Sequence, residues 1–102
     1  MSKWHQTKRY RYWKKRVLFR NKYKCDITGE KGGLATHHLW SAFFYSKKRY
    51  LIKQGVPIKI ELHKLFHLYW MGGYKNICTP KDYYKFKKSY LNGTIFDGLN
   101  KK

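Results

Sequence analysis

Leu34-Ala35-Thr36-His37-His38-Leu39-Trp40 and His63-Lys64-Leu65-Phe66-His67 together hold four of the chain's five histidines, in two tight groups. On a helix, His63 and His67 project from one face, a turn apart. On a strand, His37 and His38 point to opposite sides. One of that pair can then join the helical histidines while its neighbour faces elsewhere. Taken alone, an i, i+4 histidine pair is more often a solvated or hydrogen-bonded feature than a metal site. Combined with a second histidine group upstream, it points to metal. Two imidazoles from a helix and a third from a strand make an open three-ligand site. A cation there polarises a phosphoryl group and stabilises the leaving oxygen. An imidazole left uncommitted, titrating near neutrality, suits a general base for water.

Outward from these groups the chain divides readily. Ile60 to Trp70 reads as a helix, with Leu62, Leu65, Phe66 and Tyr69 as its apolar stripe and Gly72-Gly73 as its stop. Leu34 to Leu39 reads as a strand. Val56-Pro57-Ile58 reads as a second, short one, confined by its proline to an edge or a strand start. Between them, residues 41–55 are expected to be irregular, anchored by Phe43, Phe44, Tyr45 and Tyr50, with Lys47, Lys48 and Arg49 exposed. Lys22 to Gly33, with Cys25-Asp26-Ile27-Thr28-Gly29, has the glycines of a hairpin or knuckle. Upstream, Tyr10, Trp13 and Val17 fall at helical spacing, with Leu18 at the edge, so a basic, aromatic helix is expected to about Asn21. Downstream, Thr79, Pro80 and Asp82 are start signals for a helix through Tyr83, Phe86 and Tyr90 to Asn92-Gly93. The tail to Lys102 is read as polar and frayed.

Composition narrows the partners. At 102 residues the chain makes one small domain, and aromatic residues, 20% of the sequence, supply much of its burial. Lys and Arg number 24 against 5 acidic residues, for a net charge of +19. Self-repulsion on that scale is relieved by a polyanion, and nucleic acid is the natural one, because each Lys or Arg on a phosphate releases counterion. An anionic membrane surface is the weaker alternative. No apolar run approaches the roughly 20 residues of a spanning helix, and no signal-peptide core follows Met1. An intracellular, cytoplasmic protein is expected, with Cys25 and Cys78 as reduced, buried thiols. Phosphate contacts are expected from Lys8, Arg9, Arg11, Lys14, Lys15 and Arg16 in the first helix. Lys47, Lys48 and Arg49 join them from the loop, and Lys85, Lys87 and Lys88 near the end.

Cys25-Asp26-Ile27-Thr28-Gly29, His37-His38, Gly55-Val56-Pro57 and His63-Lys64-Leu65-Phe66-His67, in this order, resemble an HNH endonuclease, most closely the small HNH proteins of phages and mobile introns. The resemblance covers about Trp13 to Phe86. It implies an α+β fold: a ββα-metal (HNH, His-Me finger) core over residues 22–71, flanked by an N-terminal helix within 1–21 and a C-terminal helix over 79–92, all one nuclease domain. It implies one divalent ion (magnesium in cells, with manganese, nickel and zinc as alternatives) held by His37, His63 and His67, with His38 as general base. DNA is the implied partner, in the cytoplasm of the host cell if a phage encodes the protein. A homodimer or another protein partner is left open. The middle letter departs from the pattern. No asparagine lies between His38 and His63; Gln54, nine residues ahead of His63, stands where the asparagine that orients the base is usual. Gln54 keeps the amide on a longer arm. Two rivals explain the charge without catalysis: a basic nucleic-acid-binding protein, and a degenerate HNH domain kept for DNA binding.

Overall fold

A computed structural model describes residues 4–95; of the tail read as frayed, Ile95 is instead buried against the core, and residues 96–102 lie outside the described residues. It is a small α+β fold of three helices and a two-stranded antiparallel sheet. In chain order come α1 (Lys8–Arg20), β1 (Leu34–His38), β2 (Gly55–Lys59), α2 (Ile60–Lys64) and α3 (Pro80–Asn92). Among the described residues, no helix is long and apolar enough to cross a membrane.

α1 begins where Thr7 Oγ1 accepts the Tyr10 N–H at 3.1 Å, satisfying one of the donors a helix start leaves open. Its expected stripe is the buried one: Trp13 and Val17 are inside, with Tyr10 and Leu18 half-buried. Asn21 ends it by donating from its side chain to the Val17 carbonyl. Lys22 and Tyr23, both at positive φ, then reverse the chain.

The following segment folds as a knuckle, bridged at Lys24 and Lys31. The Cys25 thiol sits at its centre and accepts N–H groups from Ile27, Thr28 and Lys59, each at 3.4 Å. Both cysteines are free and buried. β1 and β2 pair in the register Leu34↔Lys59, Thr36↔Pro57 and His38↔Gly55. Pro57 is mid-strand rather than at its start, and the pairing explains why. The Pro57 carbonyl turns outward to accept the Asp26 N–H at 2.8 Å, so the missing proline donor falls on the side away from β1, where no ladder bond is lost. The knuckle thereby covers the outer edge of β2. On the sheet, Ile58, Leu62, Phe66, Tyr83 and Phe86 form the core.

α2 starts directly from β2 with no connecting loop. At Leu65 it widens into a π-helical turn, Leu65–Trp70, in which the Met71 N–H reaches back five residues to Phe66 at 2.8 Å. The expected helix over 60–70 is therefore present but wound in two ways. α3 follows its sequence signals closely. Asp82 accepts both the backbone N–H and the hydroxyl of Thr79 at 2.9 and 3.1 Å, and Gly93 closes the helix in the left-handed conformation.

Residues 39–54 depart most from expectation. Two short 3₁₀ turns, Ser46–Lys48 and Ile52–Gln54, order part of the segment. Phe43 and Phe44 are not anchors: they are 70% and 48% exposed. The loop is held instead by polar ties, with Ser41 and Cys78 exchanging backbone and hydroxyl hydrogen bonds, and by Tyr45 packed edge-on against Trp40. Lys48 and Arg49 are also not free surface cations. Lys48 lies over the Trp40 ring at 4.9 Å, and Arg49 Nε donates to the Ala42 carbonyl at 3.0 Å.

Candidate metal and water site

The alternation of β1 sends His37 and His38 to opposite faces, and the two faces meet different company. His37 is 1% exposed. Its ring centroid lies 5.3 Å from His63 and 5.4 Å from His67. The last two are a turn apart on the helix, with their Nε2 atoms 3.1 Å from each other. One ring nitrogen from each of the three comes within 4.8 Å of the others. Neither nitrogen of His37 has a hydrogen-bond partner, nor has Nδ1 of His67. Buried imidazole nitrogens without partners carry a desolvation cost that a cation would offset, so the donor set fits a divalent metal of imidazole preference.

Electrostatics favour the ligand form of these rings. Burial pushes His63 and His67 down from the ordinary 6.5 to about 4. His37, buried, facing His63 and His67 and with His38 beside it in the strand, is held well below the ordinary value. All three are neutral at physiological pH and keep their lone pairs.

His38 faces the other way, flat against Trp13 with Tyr10 beyond it. Its Nε2 lies 3.0 Å from the backbone carbonyl of Arg49. A carbonyl only accepts, so Nε2 carries the proton and Nδ1 of the neutral ring carries the lone pair. Burial lowers this pKa to about 4, against the opposing pull of the Arg49 carbonyl, so the ring titrates below the near-neutral range expected of a base. Both histidine groups line one cavity of about 260 Å³, whose other walls include Tyr10, Phe43, Phe44 and Tyr74.

Gln54 contributes differently from the expected amide brace. Its Oε1 is buried with no hydrogen-bond partner, while its backbone carbonyl accepts the Leu39 N–H at 2.8 Å. The ring of His38 is held by Arg49 instead. Residues outside the expected set complete the surroundings. Tyr83 stacks on His37 at 5.1 Å and donates to Asp26 at 2.7 Å, and Lys87 reaches the same carboxylate oxygen at 3.1 Å. Tyr74 stacks on His67 at 4.7 Å. Tyr83 was legible only as part of an apolar stripe, and nothing in the sequence ties Asp26 to it.

Of the expected phosphate contacts, Lys8, Arg9, Arg11, Lys15, Arg16 and Lys47 are exposed and Lys14 is half-buried. Lys85 and Lys88 are exposed, whereas Lys87 is engaged by Asp26. Arg9, Lys47 and Arg49 line a second hollow beside the loop. Comparison with family models, curated proteins and solved structures gives no match to this chain.

Proposed function

We propose that this chain is a divalent-metal-dependent DNA endonuclease of the HNH type, in which β1, β2 and α2 form the ββα-metal core. One observation carries the reading: three neutral imidazoles converge while a fourth, its tautomer set by a backbone carbonyl, opens into the same cavity. The order of motifs resembling HNH nucleases and the net charge of +19 support it. In this reading His37, His63 and His67 hold the ion. The ion supplies Lewis acidity toward the phosphoryl oxygen and the leaving oxygen.

The protein's own residues do the rest. Trp13 and the Arg49 carbonyl keep the His38 ring oriented. Nδ1 of His38 takes a proton from water as the water oxygen bonds to phosphorus. The bond from phosphorus to O3′ breaks and that oxygen takes a proton from solvent, leaving a 5′-phosphate and a 3′-hydroxyl. Exposed Lys and Arg residues of α1 hold the flanking phosphates, which makes binding steeply salt-dependent.

Nicking of supercoiled plasmid with magnesium, manganese or nickel tests this directly. Wild-type protein should nick, and His38→Ala should lose roughly 10²–10⁴-fold in rate while still binding metal. Nicking that survives the substitution would remove His38 as the base. Intact DNA binding with no cleavage in any metal would favour a degenerate domain kept for binding.

A further inference from the structure

We infer that the substrate strand enters this cavity as unpaired DNA, with a base beside the scissile phosphate stacked on Phe43 and Phe44. The inference rests on the endonuclease reading for its phosphate, but its own observations are separate. Phe43 and Phe44 are adjacent, exposed, and packed edge to face, with centroids 5.3 Å apart. Exposing two large apolar rings side by side is unfavourable in water, and here they line the same cavity as the four imidazoles. Tyr74, also exposed, forms a further aromatic wall against His67. Phe44 is shared with a third hollow lined by Lys47 and Lys48. Aromatic faces interleaved with cations are the surface that single strands recognise: cations track the backbone and rings take the bases.

Duplex DNA meets such a surface poorly. Its bases are hidden in the stack, and only an unpaired or extruded nucleotide offers a free π-face. The burial of His37 adds to this, since a phosphate approaching it enters a cavity that these rings also line. A partner with neither phosphates nor flat rings would leave the charge or the phenylalanines unexplained.

The test begins without metal. In EDTA, an oligothymidylate and a duplex are titrated with wild type, with the double variant Phe43→Ala/Phe44→Ala and with Phe43→Trp. A fluorescent adenine analogue within the single strand reports stacking. Single-strand affinity of the double variant should fall roughly 5- to 100-fold, duplex affinity should change little, and Phe43→Trp should bind like wild type. Because both side chains are exposed, the thermal melt of the double variant should match wild type. Equal losses on single strand and duplex, or no loss, would overturn the inference, as would tighter binding of the corresponding RNA. A separate arm adds manganese and follows cleavage. No cleavage of any substrate, with the stacking loss intact, defeats the nuclease reading alone. Undiminished cleavage of the single strand by the double variant defeats the stacking inference alone.

Discussion

The rings of Trp13 and His38 lie 4.1 Å apart at their centroids and within 9° of parallel. This contact ties α1 to the strand residue proposed as the base. Trp13 is itself fixed, donating from Nε1 to the Leu51 carbonyl at 2.8 Å. His38 is therefore gripped on its face by a helix and at its edge by a loop, and disturbing either should be felt in the site.

Gly55 is where that disturbance is most easily introduced. A Cβ there would sit 2.5 Å from Cζ2 of Trp13 and 2.6 Å from Cγ2 of Val17. Both neighbours are buried and have little room to yield. Gly55→Ala should cost about 1–3 kcal/mol of stability through overpacking, read as a lower denaturant midpoint. A variant as stable as wild type would mean that α1 does not rest on β2 at this point.

Gln54→Met separates two accounts of the middle letter. Oε1 of Gln54 is buried without a partner, so an apolar side chain of similar length removes an unpaired acceptor and should leave stability unchanged or raised. Because the Arg49 carbonyl orients His38, nicking should be unaffected. A fall of roughly 10–100-fold, the usual cost of losing a residue that orients a site, would return that role to the amide.

Metal should stabilise the fold through His63 and His67. Zinc or nickel at about a hundred times its dissociation constant should add about 2.7 kcal/mol, and chelation should remove it. His63→Ala should abolish most of the thermal shift, while His38→Ala should keep it. A shift lost equally in both variants would contradict the division between ligands and base.

The same histidines make the metal-free protein acid-sensitive. His38, His63 and His67 are pushed down to about 4 in the folded chain from an ordinary 6.5. As pH falls, the unfolded chain takes up protons first, so stability is full above about 6.5 and declines down to about 4. Denaturant midpoints measured in EDTA across that range should fall steadily. A flat profile would show that these rings are hydrated rather than buried.

Much of the scaffold was legible because its signals are local. Thr79, Pro80 and Asp82 write the start of α3 in side-chain chemistry, and Trp13 and Val17 mark the buried face of α1 by spacing alone. The opposite facing of His37 and His38 follows from strand geometry. Other features left no such trace. Every residue has a carbonyl, so nothing distinguishes Arg49 as the one that meets His38. The left-handed turn at Lys22 and Tyr23 uses residues that do not favour it. The π-helical turn around His67 depends on how α2 packs, and it falls where such irregularities often accompany function. Transfer energetics put Phe43 and Phe44 inside; the polar ties between Ser41 and Cys78 hold the loop without them.

The long excursion between β1 and β2 separates two proposed duties along the chain. His37 comes from the sheet and His63 and His67 from the helix that leaves it, so the proposed grip on an ion would belong to the scaffold. Arg49, Phe43 and Phe44 all belong to the excursion. Rewriting that segment would retune what is admitted and how the base is aimed, while leaving the three converging rings in place. If the endonuclease reading holds, changes confined to this loop would alter the choice of target and leave the cleavage chemistry as it is.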